Sequence, residues 1–211
     1  MTDASPDGGY TSAIRDAMRQ HNSALQRALD SWQGSASQLA EAASAIVSAV
    51  RKGNKILTAG NGGSAADAQH FAAELVGRYK RERSPYPAIA LTTDTSILTA
   101  IGNDYGYDDV FARQVGALGR AGDVFLAYTT SGESKNLLAA ADEAHGRGMT
   151  VIALIGPGDS SLSRSADIAL RMPATDTPII QEMHLMATHL LCDLAEAELA
   201  AAEAQDSQAV Q

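Results

Sequence analysis

The 211-residue sequence holds a single cysteine, Cys192, so no disulfide can form within the chain and a reducing compartment is expected. Cys192 falls inside an apolar helical pattern and reads as a small core residue. No apolar run reaches the ~20 residues of a membrane span, and the opening Met-Thr-Asp-Ala-Ser-Pro-Asp lacks the basic and apolar regions of a signal peptide. These absences lead us to expect a cytoplasmic protein with no membrane partner. Basic residues are also scarce: 16 Lys and Arg stand against 25 Asp and Glu, a net charge of −9. Phosphate backbones are bound by clustered cations, so no nucleic-acid partner is expected. The densest basic run, Arg78-Tyr-Lys-Arg-Glu-Arg83, reads either as a solvated face or as a receiver for an anionic substrate. Nucleotide signatures are missing as well. There is no G-x-x-x-x-G-K-[ST], and Gly60-Asn-Gly62 continues as Gly63-Ser-Ala65, without the last glycine of G-x-G-x-x-G.

Hydrophobic residues make up 45% of the chain, ordinary for a globular core, and no linker divides it. We expect one domain over 1–211, with polar ends at 1–9 and 203–211 that fray. Ile14, Met18, Leu25 and Leu29 recur at helical spacing over Tyr10–Trp32, and an Ala-rich pattern follows over Leu39–Val50. Residues 10–52 therefore read as two leading helices, whose apolar faces either cap the domain or pair with another subunit. From 55 to 202 the texture becomes βαβ. Strands are predicted at Ile56–Ala59, Ala88–Leu91, Val124–Tyr128, Val151–Ile155 and Ile168–Arg171. Helices are predicted at Ala65–Tyr79, Asp108–Leu118, Lys135–Arg147 and Ile179–Ala202. The apolar strands and long crossovers indicate an α/β, doubly wound, flavodoxin-like parallel sheet, with ligands beyond the strand carboxyl ends.

Two strand-to-helix loops suit a phosphate ester. Gly60-Asn-Gly-Gly-Ser64 follows the first strand and Thr129-Thr-Ser-Gly-Glu-Ser134 the third. Glycines admit close backbone approach, hydroxyls donate hydrogen bonds, and a helix N-terminus supplies free N–H groups. The plain alternative is a pair of turns with Ser caps and no ligand. Glu133 would repel a phosphate unless it turns outward, and we expect it to face solvent.

Metal-capable side chains occur in two segments. His70 and Glu74 share a helix face, and Gln181 and His189 lie eight apart, about 80° from eclipsed. Imidazole, carboxylate and amide suit a borderline ion such as zinc with room for substrate. The alternative is two amphipathic helices with incidental polar residues. Asp67, one turn before His70, reads equally as a carboxylate orienting that imidazole or as a first-turn dipole partner. Asp176 is a substrate contact or a helix-entry turn, His184 a supporting or structural group, and His145 a helix-end cap.

Taken together, the stretches Gly60-Asn-Gly-Gly-Ser-Ala-Ala-Asp-Ala-Gln-His70, Glu74-Leu-Val-Gly-Arg78-Tyr, Leu91 to Gly106, Thr130-Ser-Gly-Glu-Ser134 and Gln181-Glu-Met-His…His189 resemble the sugar isomerase (SIS) domain family, specifically its sedoheptulose-7-phosphate isomerases. The match runs from about Lys55 to Glu196. The resemblance implies a five-stranded SIS sheet with N-terminal helices and a homotetramer with sites at subunit interfaces. It also implies conversion of D-sedoheptulose 7-phosphate to D-glycero-D-manno-heptose 7-phosphate, the entry to nucleotide-activated heptose. By position it gives one zinc per subunit on His70, Glu74, Gln181 and His189. Sugar contacts fall to Asn61, Gly62, Gly63, Glu74, Asn103, Asp104 and Gln181, and phosphate contacts to Thr129, Thr130, Ser131 and Ser134. Many members carry Ser in place of Thr129, Lys or Arg in place of Ile180, and Asn or Lys in place of Glu133.

Isomerisation through an enediol needs a base and an electrophile. Glu74 is the expected base and His189 the complementary acid/base, with zinc or hydrogen bonds on the developing oxyanion. Because a firmly bound carboxylate is a weak base, Glu74 is expected to be loosely held by the ion during turnover. The competing expectation is a non-enzymatic SIS regulator or partner-binding scaffold that keeps the sugar-phosphate pocket, to which Pro87-Ala-Ile-Ala-Leu91 is also similar. Such relatives lack the Glu74 and His189 pair. An isomerase for a shorter sugar phosphate is the other alternative.

Overall fold

In the computed structural model, residues 9–209 are described, so the expected fraying of 1–8 and 210–211 lies outside the described residues. Helix α1 (Tyr10–Trp32) and helix α2 (Ala36–Arg51) lead into strand β1 (Ile56–Gly60). There follow α3 (Gly63–Val76), β2 (Ala88–Ala90), α4 (Thr95–Asp104), α5 (Ala112–Leu118), β3 (Val124–Tyr128), α6 (Lys135–Gly146), β4 (Thr150–Ile155), α7 (Ser161–Ser165), β5 (Ile168–Arg171) and α8 (Thr177–Ala209). The strands form one parallel sheet in the order β2-β1-β3-β4-β5. That is the flavodoxin-like order, whose winding reverses between β1 and β3.

Strand residues alternate between two cores. Ile56, Val124, Leu126 and Tyr128 join the core under α2, α3 and α8, while Leu57, Ala59, Phe125 and Ala127 join the one under α5 and α6. Both faces are covered, which is why the central strands are apolar throughout. On α8, Ile179, Ile180, Met183, His184, Ala187, Thr188, Leu191, Cys192, Ala195, Glu196 and Leu199 are buried at three- and four-residue spacing, one continuous helical face.

The leading helices divide their work. Leu39, Ala42, Ala43, Ile46 and Val47 bury α2 against the core, whereas α1 buries only Ala28 and Trp32 and leaves Tyr10, Ile14 and Met18 exposed at 72, 57 and 66%. Sequence periodicity missed α4 and α7. It also ended α8 at 202, but the chain remains helical through Ala209, as Ala, Glu and Gln favour. The stretch predicted as one helix over Asp108–Leu118 is a short 3₁₀ turn, Tyr107–Asp109, followed by α5. Among the described residues no helix is long and apolar enough to cross a membrane.

Candidate active site

Parallel pairing aligns Gly60 at the end of β1 with Tyr128 at the end of β3, so the two hydroxyl- and glycine-bearing loops emerge side by side at the winding reversal. Asn61, Ser64, Tyr128, Thr129, Thr130, Ser131, Ser134 and Gln181 line a cavity of about 120 Å³ there. Thr129 Oγ1 lies 3.4 Å from both Ser131 Oγ and Ser134 Oγ and accepts the Gly132 N–H at 3.2 Å. Gly132 has φ +69°, a conformation that disfavours side chains. Ser134 stands at the N-cap of α6 but makes no capping hydrogen bond, so its hydroxyl is not consumed by the helix. That argues against a simple capped turn.

Glu133 is exposed and turns away from this cradle: its Oε1 accepts the Ser161 N–H at 2.8 Å at the start of α7. The Ser161 hydrogen bonds hold its carboxyl below the usual range. Ile180, directly before Gln181, is 3% exposed and packed in the core. Any attraction of these loops for an anion would therefore rest on hydroxyls and backbone N–H groups.

A second group stands on α3 and α8 outside that cavity, where His189 lines a separate hollow with Tyr79, Lys80 and Glu182. His70 Nε2 lies 2.8 Å from Glu74 Oε1, one helical turn on. The His70 and His189 rings meet edge-on at 5.1 Å and 75°, and Tyr79 stacks on His189 at 5.5 Å and 22°. Ligand atoms of His70, Glu74 and His189 all lie within 4.8 Å of one another, and two nitrogens and a carboxylate oxygen match the donors a zinc-type ion takes. A small inward movement brings three such atoms to bonding distance of one ion. Gln181, expected beside them, sits two turns earlier on α8, about 12 Å along the axis. Its amide occupies the space above Gly63, where any Cβ would collide with it. Gly63 thus leaves the room that the Gln181 amide fills.

Asp67 is partly buried, and its Oδ2 has no hydrogen-bond partner. Burial raises its carboxyl to about 6 against the opposing pull of His70. Asn103 and Asp104 do not reach the cavity. They stand exposed at the end of α4, where Asn103 Nδ2 donates to Asp104 Oδ1 at 2.7 Å. Asp176 accepts the Ile180 N–H in the entry turn of α8, and His145 lies 3.3 Å from Asp167 at the end of α6.

Two participants escaped the sequence. Asn136, buried at the start of α6, exchanges hydrogen bonds of 3.0 and 2.8 Å with Asn61, and the Tyr107 hydroxyl donates to Asn61 Oδ1 at 3.1 Å. No spacing rule links residues 75 apart, and nothing local in the sequence marks Asn136 as the partner of Asn61.

A model of the SIS domain family matches residues 20–156. The phosphoheptose isomerase of Rhodospirillum rubrum is 54% identical over 158 residues, 75% of this chain and 84% of that protein. The phosphoheptose isomerase of Helicobacter pylori is 49% identical over 187 residues, 89% of this chain and 96% of that one. The solved phosphoheptose isomerase of Neisseria gonorrhoeae superposes with a TM-score of 0.83 at 42% identity, covering 87% of this chain and 99% of that one. Such identity runs across three quarters or more of this chain and of each relative, and on that basis this chain belongs to the phosphoheptose isomerases of the SIS-domain family.

Proposed function

We propose that the protein is an aldose–ketose isomerase that converts D-sedoheptulose 7-phosphate to D-glycero-D-manno-heptose 7-phosphate. One observation carries this reading beyond kinship. A phosphate cradle and a His-Glu-His group sit at two levels of one helix, with Gln181 marking the first and His189 the second, about 12 Å apart. A seven-carbon chain extended from its phosphate covers a comparable span, so a substrate anchored at the loops would bring C1 and C2 towards Glu74 and His189. Shorter sugar phosphates would fall short of that pair.

In this reading Thr129, Thr130, Ser131 and Ser134 hold the phosphate, and Asn61, Gly62, Gly63 and Gln181 border the sugar. Glu74 takes a proton from C1 while His189 donates one to the C2 oxygen, giving the enediol. Glu74 then returns its proton to C2 as His189 accepts the C1 hydroxyl proton, so no net proton is gained or lost. His70, hydrogen-bonded to Glu74, orients the carboxylate, and Tyr79 fixes the plane of the His189 ring. A zinc ion held by His70, Glu74 and His189, with Gln181 as the expected fourth donor, would supply Lewis-acid stabilisation of the developing oxyanion.

We assign a homotetramer on two grounds. Tyr10, Ile14 and Met18 on α1 and Met186, Leu190 and Leu194 on α8 are large exposed apolar side chains, of the kind that mark contacts between proteins. Asn103 and Asp104, outside their own cleft, would meet substrate in a neighbouring copy. A cytoplasmic location suits the free, buried thiol of Cys192.

Purified, metal-quantified protein incubated with sedoheptulose 7-phosphate should yield the aldoheptose phosphate by NMR. Chelation should remove both activity and bound metal, and His189→Ala should bind zinc at least ~10-fold more weakly and be inactive. Folded, zinc-loaded wild type that leaves the ketose unchanged would refute the assignment.

A further inference from the structure

Near the site lies a buried ion pair to which none of the steps above assigns a role. Arg83 and Glu196 have side chains 1% and 0% exposed, with Nε 3.2 Å from Oε1. The Glu196 carboxylate also accepts three consecutive backbone N–H groups, those of Tyr79 at 2.9 Å, Lys80 at 2.9 Å and Arg81 at 3.0 Å. The rest of the Arg83 guanidinium donates to Glu74 O and Leu75 O, both at 2.8 Å, and to Gly77 O and Ser84 O, both at 3.0 Å. The last carbonyls of a helix have no intrahelical partner, and Arg83 supplies one for α3 at the end where a cation is favoured.

The clamp touches both proposed catalytic side chains at one remove. Glu74 offers its carbonyl to Arg83. Tyr79, tied through its N–H to Glu196, lays its ring on His189. Glu196 and His189 lie seven residues apart on α8, nearly in line. Apolar residues could seal the same gap as well or better, because charges are costly to bury. What an apolar filling cannot do is hold seven backbone groups in fixed positions. The geometry points to Arg83 and Glu196 as positioning residues of the isomerase site, which set the end of α3 and the 77–84 segment so that the Glu74 carboxylate and the Tyr79 ring meet His189 correctly. This inference rests on the isomerase reading.

The test compares Glu196→Gln and Glu196→Asp with wild type for kcat, KM, unfolding midpoint and hydrogen exchange at the Tyr79, Lys80 and Arg81 amides. An amide in place of the carboxylate presents an NH₂ group to N–H donors and displaces the segment. Glu196→Gln should lose about 10- to 100-fold in kcat, with KM within about threefold and faster exchange at the three amides. Glu196→Asp should fall between Gln and wild type. If Glu196→Gln does not fold, Glu196→Asp and Arg83→Lys carry the same comparison. Full kcat in a folded variant with exposed amides would overturn the inference, as would activity loss that merely follows the folded fraction. An inert wild type would instead strike the isomerase reading, and this inference with it.

Discussion

The side-chain amides of Asn61 and Asn136 are locked to one another by two hydrogen bonds, Asn61 Nδ2 to Asn136 Oδ1 at 3.0 Å and Asn136 Nδ2 to Asn61 Oδ1 at 2.8 Å. With Tyr107 on the same oxygen, Asn61 keeps one N–H for a substrate. The pair is the brace between the β1 and β3 loops.

Replacing Asn136 by Ala should therefore disturb binding more than Asn136's distance from the sugar suggests. Losing the brace should raise KM by roughly tenfold, the equivalent of about 1.4 kcal/mol. The unpaired Asn61 groups should cost about 1–3 kcal/mol of stability. Steady-state kinetics and urea unfolding measure the two separately; an unchanged KM would mean the loops hold their spacing without the brace.

Two neighbouring glycines should respond differently to the same methyl group. At Gly63 a Cβ meets the end of the Gln181 side chain, whereas at Gly60 it meets the Ser64 backbone. A side-chain end can swing away and a backbone cannot. Gly63→Ala should keep its unfolding free energy within about 0.5 kcal/mol and lose at least ~10-fold in activity through a displaced Gln181. Gly60→Ala should cost about 1–3 kcal/mol. Equal melting points for the two variants would contradict this.

The pH dependence of stability in metal-free protein should show two opposed limbs. Burial lowers His184 from 6.5 to about 4, the Ile155 backbone acting weakly against it. The unfolded chain then takes a proton near 6.5 that the folded chain refuses until about 4. Stability from this group is complete above 6.5 and falls as pH drops to 4, by about 3 kcal/mol. Asp67 is raised from 3.8 to about 6, so the folded state keeps a proton the unfolded chain has released. Its contribution is complete below 3.8 and is lost as pH rises to 6. Urea unfolding of His184→Leu from pH 4 to 7 should lose the rise in stability between about pH 4 and 6.5 that His184 contributes, and a slope identical to wild type would sink the argument.

How far the sequence reveals this molecule depends on the range of each interaction. Strands β3 and β5 and helix α1 were legible to the residue, because alternation, apolar runs and helical periodicity are local. Helix α4 was not: it spans ten residues and buries none completely, with only Leu98 and Ile101 packed against the core, although Asp94, which accepts the Ile97 N–H at 2.9 Å, was a readable cap. Helix α7 spans five residues, too few for a period to emerge. In the site, His70 with Glu74 followed from spacing on one helix. Their meeting with His189, the Asn61 brace and the Glu196 clamp depend on how distant elements dock. Gln181, two turns before His189 and about 80° around the helix from it, lies over Gly63, a placement that spacing along one helix does not give.

Strand β2 has three residues and β5 four, and Pro87 stands immediately before β2. Short margins of this kind give a foreign strand little to pair with. In the tetramer proposed above, copies of the chain would therefore meet helix on helix, through the apolar side chains exposed on α1 and α8. The loops at the carboxyl ends of the strands then need not bend to make an assembly.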